Sequence, residues 1–210
     1  MHQDIQTYRR QGFGQTLGVP DAPALVIVDF MNGFSDPAFA GGGNINDAIT
    51  RTVPVLAEAR RLGWPIAHVR TVYAEDGSDG NVFTTKVPTL LQLTEHSALS
   101  AFVPELQPRA GEVVIRKTYP SALHETPLQS WLTRRRVDGL VVAGCTTSGC
   151  VRASVLDAMH AGFRPYVIRE CVGDRSLAAH EANLFDMDQK CADVVAFDDF
   201  LRRLQEASRG

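Results

Sequence analysis

The chain has 210 residues, with 21 lysine and arginine residues against 24 aspartate and glutamate residues, and so carries a formal charge of −3. Its isoelectric point of about 6.1 excludes the strongly basic footprint of a typical nucleic-acid-binding domain. Hydrophobic residues make up 44% of the chain and charged residues 21%, which excludes disordered and fibrous classes. These values predict one compact domain over residues 1–210, with an N-terminal arm over 1–20.

No apolar stretch approaches the ~18 residues that a membrane-spanning helix needs, and residues 1–14 lack the apolar core of a signal peptide. The sequence therefore predicts a cytoplasmic protein with neither a membrane nor a nucleic-acid partner. The cysteines at positions 145, 150, 171 and 191 are too few for the disulfide framework of a small secreted protein. We expect each of them to serve either packing or chemistry.

The first predicted strand is a continuous apolar run over residues 24–28 that ends in Asp29. Such a run is typical of a strand buried on both faces of a parallel sheet, and it places Asp29 at the carboxyl end. Asn44 is predicted to cap a helix that stops before Gly63. Because Pro54 interrupts the helical pattern, we expect either a kink there or a start one turn later.

Further strands and helices alternate along the chain. Apolar runs that predict strands lie at residues 65–69, 113–115, 139–143, 164–168 and 194–197. Amphipathic segments that predict helices lie near residues 127–135, 149–161, 178–190 and 198–207. This alternation is typical of right-handed βαβ units, so we predict an α/β protein: a Rossmann-like three-layer α/β/α sandwich with a mainly parallel six-stranded sheet. Residues 71–112 are irregular and are predicted to form a long excursion over an active site or an interface.

Three strand ends carry residues suited to chemistry, and ligands of open α/β sheets collect at such ends. Asp29 ends the first strand, Lys117 follows the third, and Cys150 follows the fourth at the start of a helix. A thiol there lies near the positive end of the helix dipole and near free backbone N–H groups, which favours the thiolate and can bind an oxyanion. Asp29 is the expected proton partner. Taken singly, Cys150 could be a buried hydrophobe, Asp29 a loop cap and Lys117 a solvated charge, but their placement on three neighbouring strands favours a site.

Motifs for metals and redox chemistry are weak in this sequence. The spacing from Cys145 to Cys150 exceeds that of common zinc motifs and differs from the thioredoxin spacing. No two histidines are paired at metal-ligand spacing, so no metal site is expected. No other cofactor is expected either. Core or packing roles are predicted for His68, Cys171 and Cys191.

Three motifs occur together, each around one of the strand-end residues. They are Val26-Ile27-Val28-Asp29-Phe30-x-x-Gly33-Phe34, Lys117-x-x-x-Ser121-Ala122-Leu123 and Val142-Ala143-Gly144-x-Thr146-x-x-x-Cys150-Val151-Arg152-Ala153-Ser154. Together they resemble the isochorismatase-like cysteine hydrolases, and the likeness runs from about residue 20 to residue 200.

The resemblance implies a Cys-Asp-Lys triad at Cys150, Asp29 and Lys117. It also implies a cis peptide bond between Cys145 and Thr146, which would aim the backbone N–H groups of Thr146 and Cys150 at an oxyanion. In this family the cysteine is associated with amide cleavage, and metal-dependent members carry an Asp-x-His motif after the second strand that this chain lacks. A metal-independent amidohydrolase that acts through a thioester is therefore implied.

Further residues look most like two subgroups, the N-carbamoylsarcosine amidohydrolases and the maleamate amidohydrolases. These residues are Gly12-Phe13-Gly14, Thr147-Ser148-Gly149-Cys150-Val151-Arg152 and Val172-Gly173-Asp174-Arg175. Both subgroups act on small acids with a terminal primary amide or urea, and Arg175 matches the position that binds the substrate carboxylate. A guanidinium suits a carboxylate bidentately, so the carboxylate-binding role is favoured for Arg175, with a surface salt bridge as the alternative interpretation.

Overall likeness favours maleamate, hydrolysed to maleate and ammonia in nicotinate degradation, over N-carbamoylsarcosine, hydrolysed to sarcosine, carbon dioxide and ammonia. Two interpretations of another class stay open: a ligand-binding module without activity, and a redox protein that uses Cys145 and Cys150. The resemblance also implies a homo-oligomer, dimer or tetramer, with the 71–112 segment as part of its interface.

Overall fold

A parallel six-stranded sheet forms the centre of the molecule in a computed structural model, which describes residues 2–207. The strands are β1 Pro23–Val28, β2 Ile66–Thr71, β3 Val113–Lys117, β4 Gly139–Cys145, β5 Arg164–Gly173 and β6 Asp193–Val195. All adjacent pairs are parallel, in the order β3-β2-β1-β4-β5-β6. The predicted α/β fold with a Rossmann-like sheet is confirmed.

Helices cover both faces of the sheet. The described residues form α1 His2–Arg10, α2 Asn32–Ser35, α3 Ile45–Arg61, α4 Val82–Lys86, α5 Leu128–Arg134, α6 Arg152–His160, α7 Leu177–Lys190 and α8 Phe197–Ala207. Buried side chains of α3 and α8 pack on one face, whereas those of α5, α6 and α7 pack on the other. The molecule is therefore the predicted three-layer sandwich.

Strand β1 lies in the middle of the sheet, and its apolar run is buried on both faces. Leu25 and Ile27 join the core beneath α3, while Val26 and Val28 join the core beneath α6. Because successive strand residues point to opposite faces, both faces of a central strand must be apolar. All four side chains are at most 1% exposed.

Helix α3 begins directly after the predicted cap position. It starts at Ile45 and continues through Pro54, so of the two alternatives at Pro54 the later start is wrong, and a kink there stays a prediction. Asn44 stands at the predicted cap position, but its side chain makes no cap hydrogen bond. Its Oδ1 instead accepts a hydrogen bond from the Asp174 N–H at 2.9 Å, because the loop after β5 lies against the start of α3. Asn44 thus fixes the end of β5.

Two strand boundaries also differ from the sequence patterns. Strand β5 continues to Gly173, well beyond the predicted end at residue 168, since β4 pairs with it as far as Cys145. Strand β6 ends at Val195, because Phe197 begins α8 and donates its N–H to the Glu170 carboxylate at 2.8 Å.

The sheet order corrects the predicted adjacency of the chemistry-bearing strands. Strand β2 lies between β1 and β3, so the strands that carry Asp29 and Lys117 are not neighbours. The alternating pattern defines the elements but contains no information about which strands pair. The end of β2, at Thr71, therefore lies between the two charged residues.

The segment from residue 72 to 112 is a folded excursion rather than an unstructured loop. It contains α4 and short 3₁₀ helices at Pro88–Gln92, Ala98–Ser100 and Pro104–Leu106. Leu93 and Leu106 anchor it in the core and are fully buried. Its expected part in an oligomer interface stays a prediction, as do the oligomer itself and the cytoplasmic location.

The N-terminal arm contains a helix that the sequence analysis did not predict. Tyr8 of α1 packs edge-on against Phe13 and Phe185, with ring centroids 5.4 Å apart in both pairs. The following residues are held by Asp193, whose carboxylate accepts hydrogen bonds from the N–H groups of Leu17 and Gly18 at 2.8 and 3.0 Å.

No helix within residues 2–207 is long and apolar enough to cross a membrane.

His68 is the core histidine that the sequence predicts. It is fully buried on β2, and its Nε2 lies 2.8 Å from Glu112 Oε2. Burial lowers the pKa of His68, which keeps the ring neutral at pH 7. This pair ties β2 to the start of β3 and lies outside the site described next.

Candidate active site

Asp29, Lys117 and Cys150 come together at the carboxyl edge of the sheet. Lys117 Nζ lies 2.7 Å from Asp29 Oδ2 and 3.4 Å from Cys150 Sγ. The three residues are 0%, 2% and 5% exposed, respectively, so the ion pair and the thiol share one buried volume. The predicted gathering of these three side chains is thus present in the structure.

Close approach of β4 to β1 brings the thiol-bearing turn to this edge. Gly144 has a φ of +136°, and a Cβ there would lie 2.1 Å from the carbonyl oxygen of Val28. Only glycine fits such a contact, which accounts for the Gly144 of the third motif. The peptide bond that follows, between Cys145 and Thr146, is cis, as the resemblance implied.

A tight turn presents Cys150 before α6 begins. The turn spans Thr147–Val151, and its Gly149 and Val151 N–H groups donate to the Thr146 carbonyl at 3.0 and 3.1 Å. Gly149 has a φ of −115° and a ψ of −105°, outside the helical region, so the chain bends within this turn. The predicted position of Cys150 at a strand-to-helix turn is therefore observed.

Burial and two neighbouring charges act on the protonation state of Cys150. Burial raises the pKa of Cys150 to about 12; the Lys117 ammonium opposes this rise, and the Asp29 carboxylate adds to it. Burial acts against the charge of Lys117 as well, but Asp29 and Cys150 outweigh it and raise the pKa of Lys117 above its ordinary value. Desolvation and the carboxylate thus act against the thiolate that the helix N-terminus favours, and the predicted role of Asp29 as proton partner of the thiol stays a prediction. The free site holds a neutral thiol beside an ion pair.

Iodoacetamide should alkylate Cys150 slowly at neutral pH, with a rate that rises about tenfold per pH unit from pH 7 to pH 10. The thiolate is the reactive form, and its fraction grows in this way at any pH well below a pKa of about 12. Mass spectrometry of the peptide that carries Cys150 measures the rate. An unstructured cysteine peptide is the control and should level off above its pKa of about 8.5. A plateau for Cys150 below pH 8 would contradict the buried neutral thiol.

Neighbouring polar contacts hold the thiol-bearing turn, and the sequence analysis did not identify them. The Ser148 N–H donates to Asp174 Oδ2 at 2.8 Å, and Thr147 Oγ1 lies 2.8 Å from His180 Nδ1. Asp174 is 1% exposed and follows β5 directly, so a search of every strand end would have found it. These contacts connect the turn to β5 and α7.

Cys145 has a structural contact of its own. It is fully buried, and its Sγ donates a hydrogen bond to the Asp29 backbone carbonyl at 3.1 Å. Burial raises the pKa of Cys145 well above its ordinary value. Because thiol–disulfide exchange needs a thiolate, this environment argues against the redox alternative.

A cavity of about 340 Å³ opens from Cys150 to solvent. Its walls are mainly apolar and include Phe34, Phe39 and Phe83, while Thr146 and Ser148 line the end near the thiol. The 72–112 excursion supplies part of the wall, as predicted for a segment over an active site. Among residues 2–207, no group of three or more His, Cys, Asp or Glu side chains is arranged to hold a metal ion.

Arg175 lines the same cavity and is exposed. Its Nε and Nη2 both donate to the carbonyl oxygen of Ala40, at 3.2 and 2.9 Å. Within the described part of the chain it forms no ion pair, so the alternative interpretation as a surface salt bridge finds no partner there. A cation held by a neutral carbonyl is free to bind an anionic ligand.

Comparisons with known proteins identify the family. A profile described as the isochorismatase domain matches residues 23–199. The chain belongs to the isochorismatase family. A maleamate amidohydrolase from Pseudomonas putida is 43% identical over 197 residues, which cover 92% of each chain. An N-carbamoylsarcosine amidase from an Arthrobacter species is 34% identical over 203 residues, which cover 94% of this chain and 76% of the relative.

Solved structures agree with this family. A cysteine hydrolase from Pseudomonas syringae pv. phaseolicola superposes with a TM-score of 0.84 at 21% identity, covering 89% of this chain and 93% of its own. An isochorismatase family protein from Desulfovibrio vulgaris has a TM-score of 0.78 at 28% identity and covers 88% and 98%, respectively. The first likeness is one of fold alone, and the second also extends to the sequence.

Proposed function

We propose that this isochorismatase-family amidohydrolase cleaves the primary amide of a small carboxylic acid through a thioester on Cys150, with maleamate as its substrate. The observation that carries the proposal is one cavity with a buried thiol beside a Lys–Asp ion pair and, in its wall, an arginine with no ionic partner among the described residues. The 43% identity to a maleamate amidohydrolase over 92% of both chains supports maleamate as the acid.

Acylation starts from the neutral thiol. Asp29 accepts the Cys150 proton as Sγ attacks the amide carbonyl carbon, so no free thiolate is needed beforehand. Lys117 stays charged and balances the negative charge that moves from Asp29 to the substrate. The carbonyl oxygen becomes an oxyanion held by the backbone N–H groups of Thr146 and Cys150, and losing one such donor typically costs about 3–4 kcal/mol.

Collapse of the tetrahedral intermediate breaks the C–N bond. Asp29 returns the proton to the leaving nitrogen, ammonia departs, and an acyl group remains on Cys150. A water oxygen then attacks the thioester carbonyl carbon while Asp29 accepts a proton from that water. The C–S bond breaks, Asp29 returns the proton to Cys150 Sγ, and the acid is released. Arg175 orients the distal carboxylate, and fixed orientation can supply a large part of the rate.

Ammonia release from maleamate, measured with the purified full chain, tests the proposal. Turnover of maleamate, at a rate unchanged by EDTA, is the expected result. N-carbamoylsarcosine is the comparison substrate, because the relative at 34% identity is named for it. Preference for N-carbamoylsarcosine would overturn the substrate assignment, and loss of activity that added zinc restores would overturn the metal-free mechanism.

Replacing Arg175 by glutamine should lower kcat/KM for maleamate by about 10–100-fold, the usual effect of a lost hydrogen bond to a charged group. An uncharged amide of similar size, crotonamide, should lose less than about threefold, because it offers no carboxylate. Arg169→Gln is the matched control, since this exposed arginine pairs with Glu181 on the surface. Equal losses for both substrates in Arg175→Gln would remove the carboxylate-binding role.

A further inference from the structure

We propose that Thr71 is a positioning residue that fixes Asp29, so that Oδ2 is the oxygen that exchanges a proton with Cys150. This inference rests on the proposed mechanism and extends it to a residue outside the triad. Thr71 is the last residue of β2 and is 1% exposed. It does not line the cavity, so it acts through Asp29 and Lys117 rather than on the substrate.

The sheet order explains why a bridging residue is needed. Asp29 follows β1 and Lys117 ends β3, and β2 lies between these strands. Neighbouring strands are about 4.8 Å apart, so the backbones of the two charged residues are separated by roughly 10 Å. Thr71 is paired in register with Lys117, on the neighbouring strand. The ion pair must therefore form across the end of β2.

The hydroxyl of Thr71 links Lys117 to Asp29 through two hydrogen bonds. The Thr71 N–H donates to Asp29 Oδ1 at 2.8 Å, and the hydroxyl lies 3.0 Å from the same oxygen. Lys117 Nζ donates to Thr71 Oγ1 at 2.6 Å. Because the Lys117 ammonium can only donate, the Thr71 hydroxyl accepts a hydrogen bond from Nζ and donates its single proton to Asp29 Oδ1.

This direction makes the two oxygens of Asp29 unequal. Oδ1 accepts two hydrogen bonds from Thr71, whereas Oδ2 contacts the Lys117 ammonium at 2.7 Å. Within the described residues, Oδ2 receives no hydrogen bond from Thr71, and its charged contact is the Lys117 ammonium, which itself lies 3.4 Å from Cys150 Sγ. Oδ2 is therefore the oxygen left to take the thiol proton. Without the hydroxyl, Oδ1 retains only the hydrogen bond from the Thr71 N–H, and the broad terminal torsion of an aspartate gives the carboxylate more freedom to rotate.

Thr71→Val removes the hydroxyl and keeps the branched shape of the side chain. We expect kcat for maleamate to fall about 10–100-fold with KM changed by less than about twofold, since misplacement of a catalytic group costs rate rather than binding. Thr71→Ser, which retains the hydroxyl, should stay within about threefold of the parent.

Thr52→Val is the matched control for loss of a buried threonine hydroxyl. Thr52 is fully buried on α3, and its hydroxyl donates to the Ala48 carbonyl at 2.8 Å, away from the triad. This variant should keep kcat and KM, and thermal melting of all three variants reports their stability. An unchanged kcat in Thr71→Val would overturn the proposal, as would an equal loss in Thr71→Ser.

Alkylation separates this proposal from the proposed function. If the parent chain released no ammonia from any amide acid tested, the proposed function would fail, but the contacts of Thr71 could still be tested. Thr71→Val should then change the pH dependence of Cys150 alkylation by iodoacetamide, and Thr71→Ser should not. Identical alkylation profiles for the parent and Thr71→Val would overturn the positioning role independently of activity.

Discussion

Replacing Cys150 by serine is expected to lower kcat for maleamate by at least about 10⁴-fold, because loss of a catalytic nucleophile has effects of this order or larger. Serine matches cysteine in shape, so the buried position should tolerate it. The hydroxyl is a far weaker acid than a thiol, and a carboxylate such as Asp29 is a poor base for it. Ammonia release at saturating maleamate measures the change.

Cys191→Ser is the matched control for this variant. Cys191 is also a free, buried cysteine, but it lies at the end of α7. It lines a different cavity, beside Gly14 and Gln189, so its substitution should leave kcat unchanged. Near-normal turnover by Cys150→Ser would show that no thioester forms, and equal losses in both variants would indicate a general defect in folding.

Replacing Asp29 by asparagine should lower kcat by about 10⁴-fold, since an amide cannot accept the thiol proton. The side chain keeps its size, and its oxygen can still accept the hydrogen bonds of Thr71. The substitution also leaves Lys117 as a buried cation without its carboxylate, and breaking such a pair costs about 3–5 kcal/mol of folding stability. Both kcat and the free energy of unfolding are therefore measured.

A double variant separates these two effects. Asp29→Asn combined with Lys117→Met removes the unpaired cation together with the base, and a buried methionine restores apolar packing. We expect the double variant to recover stability relative to Asp29→Asn while its activity stays lost. If Asp29→Asn alone kept more than about a tenth of the parent kcat, or if the double variant regained activity, Asp29 would not be the general base.

The gathering of Asp29, Lys117 and Cys150 could be predicted from the sequence because its signal is local. Asp29 and Lys117 lie at the ends of apolar runs, Cys150 lies in the turn that follows a third run, and the ends of parallel strands meet at one edge. This rule holds for any order of the strands within a parallel sheet. The same rule, applied to the ends of β2 and β5, predicts Thr71 and Asp174 at this edge. A threonine or an aspartate at a strand end is a weaker signal of catalytic chemistry than a lysine or a cysteine.

Hydrophobic patterning by itself determined the α/β class, the six strands and the edge at which chemistry is possible, since periodicity reports which face of each element is buried. Only the tertiary structure decided that β2 separates β1 from β3 and that Asn44 binds the loop after β5 instead of capping α3. It also decided that Arg175 faces the cavity with no ionic partner within residues 2–207. The state of Cys150 was decided there too, because its pKa depends on burial and on charges brought from distant strands. Strand pairing and the desolvation of ionisable groups arise from contacts between segments far apart in the chain, so a local sequence pattern does not predict them.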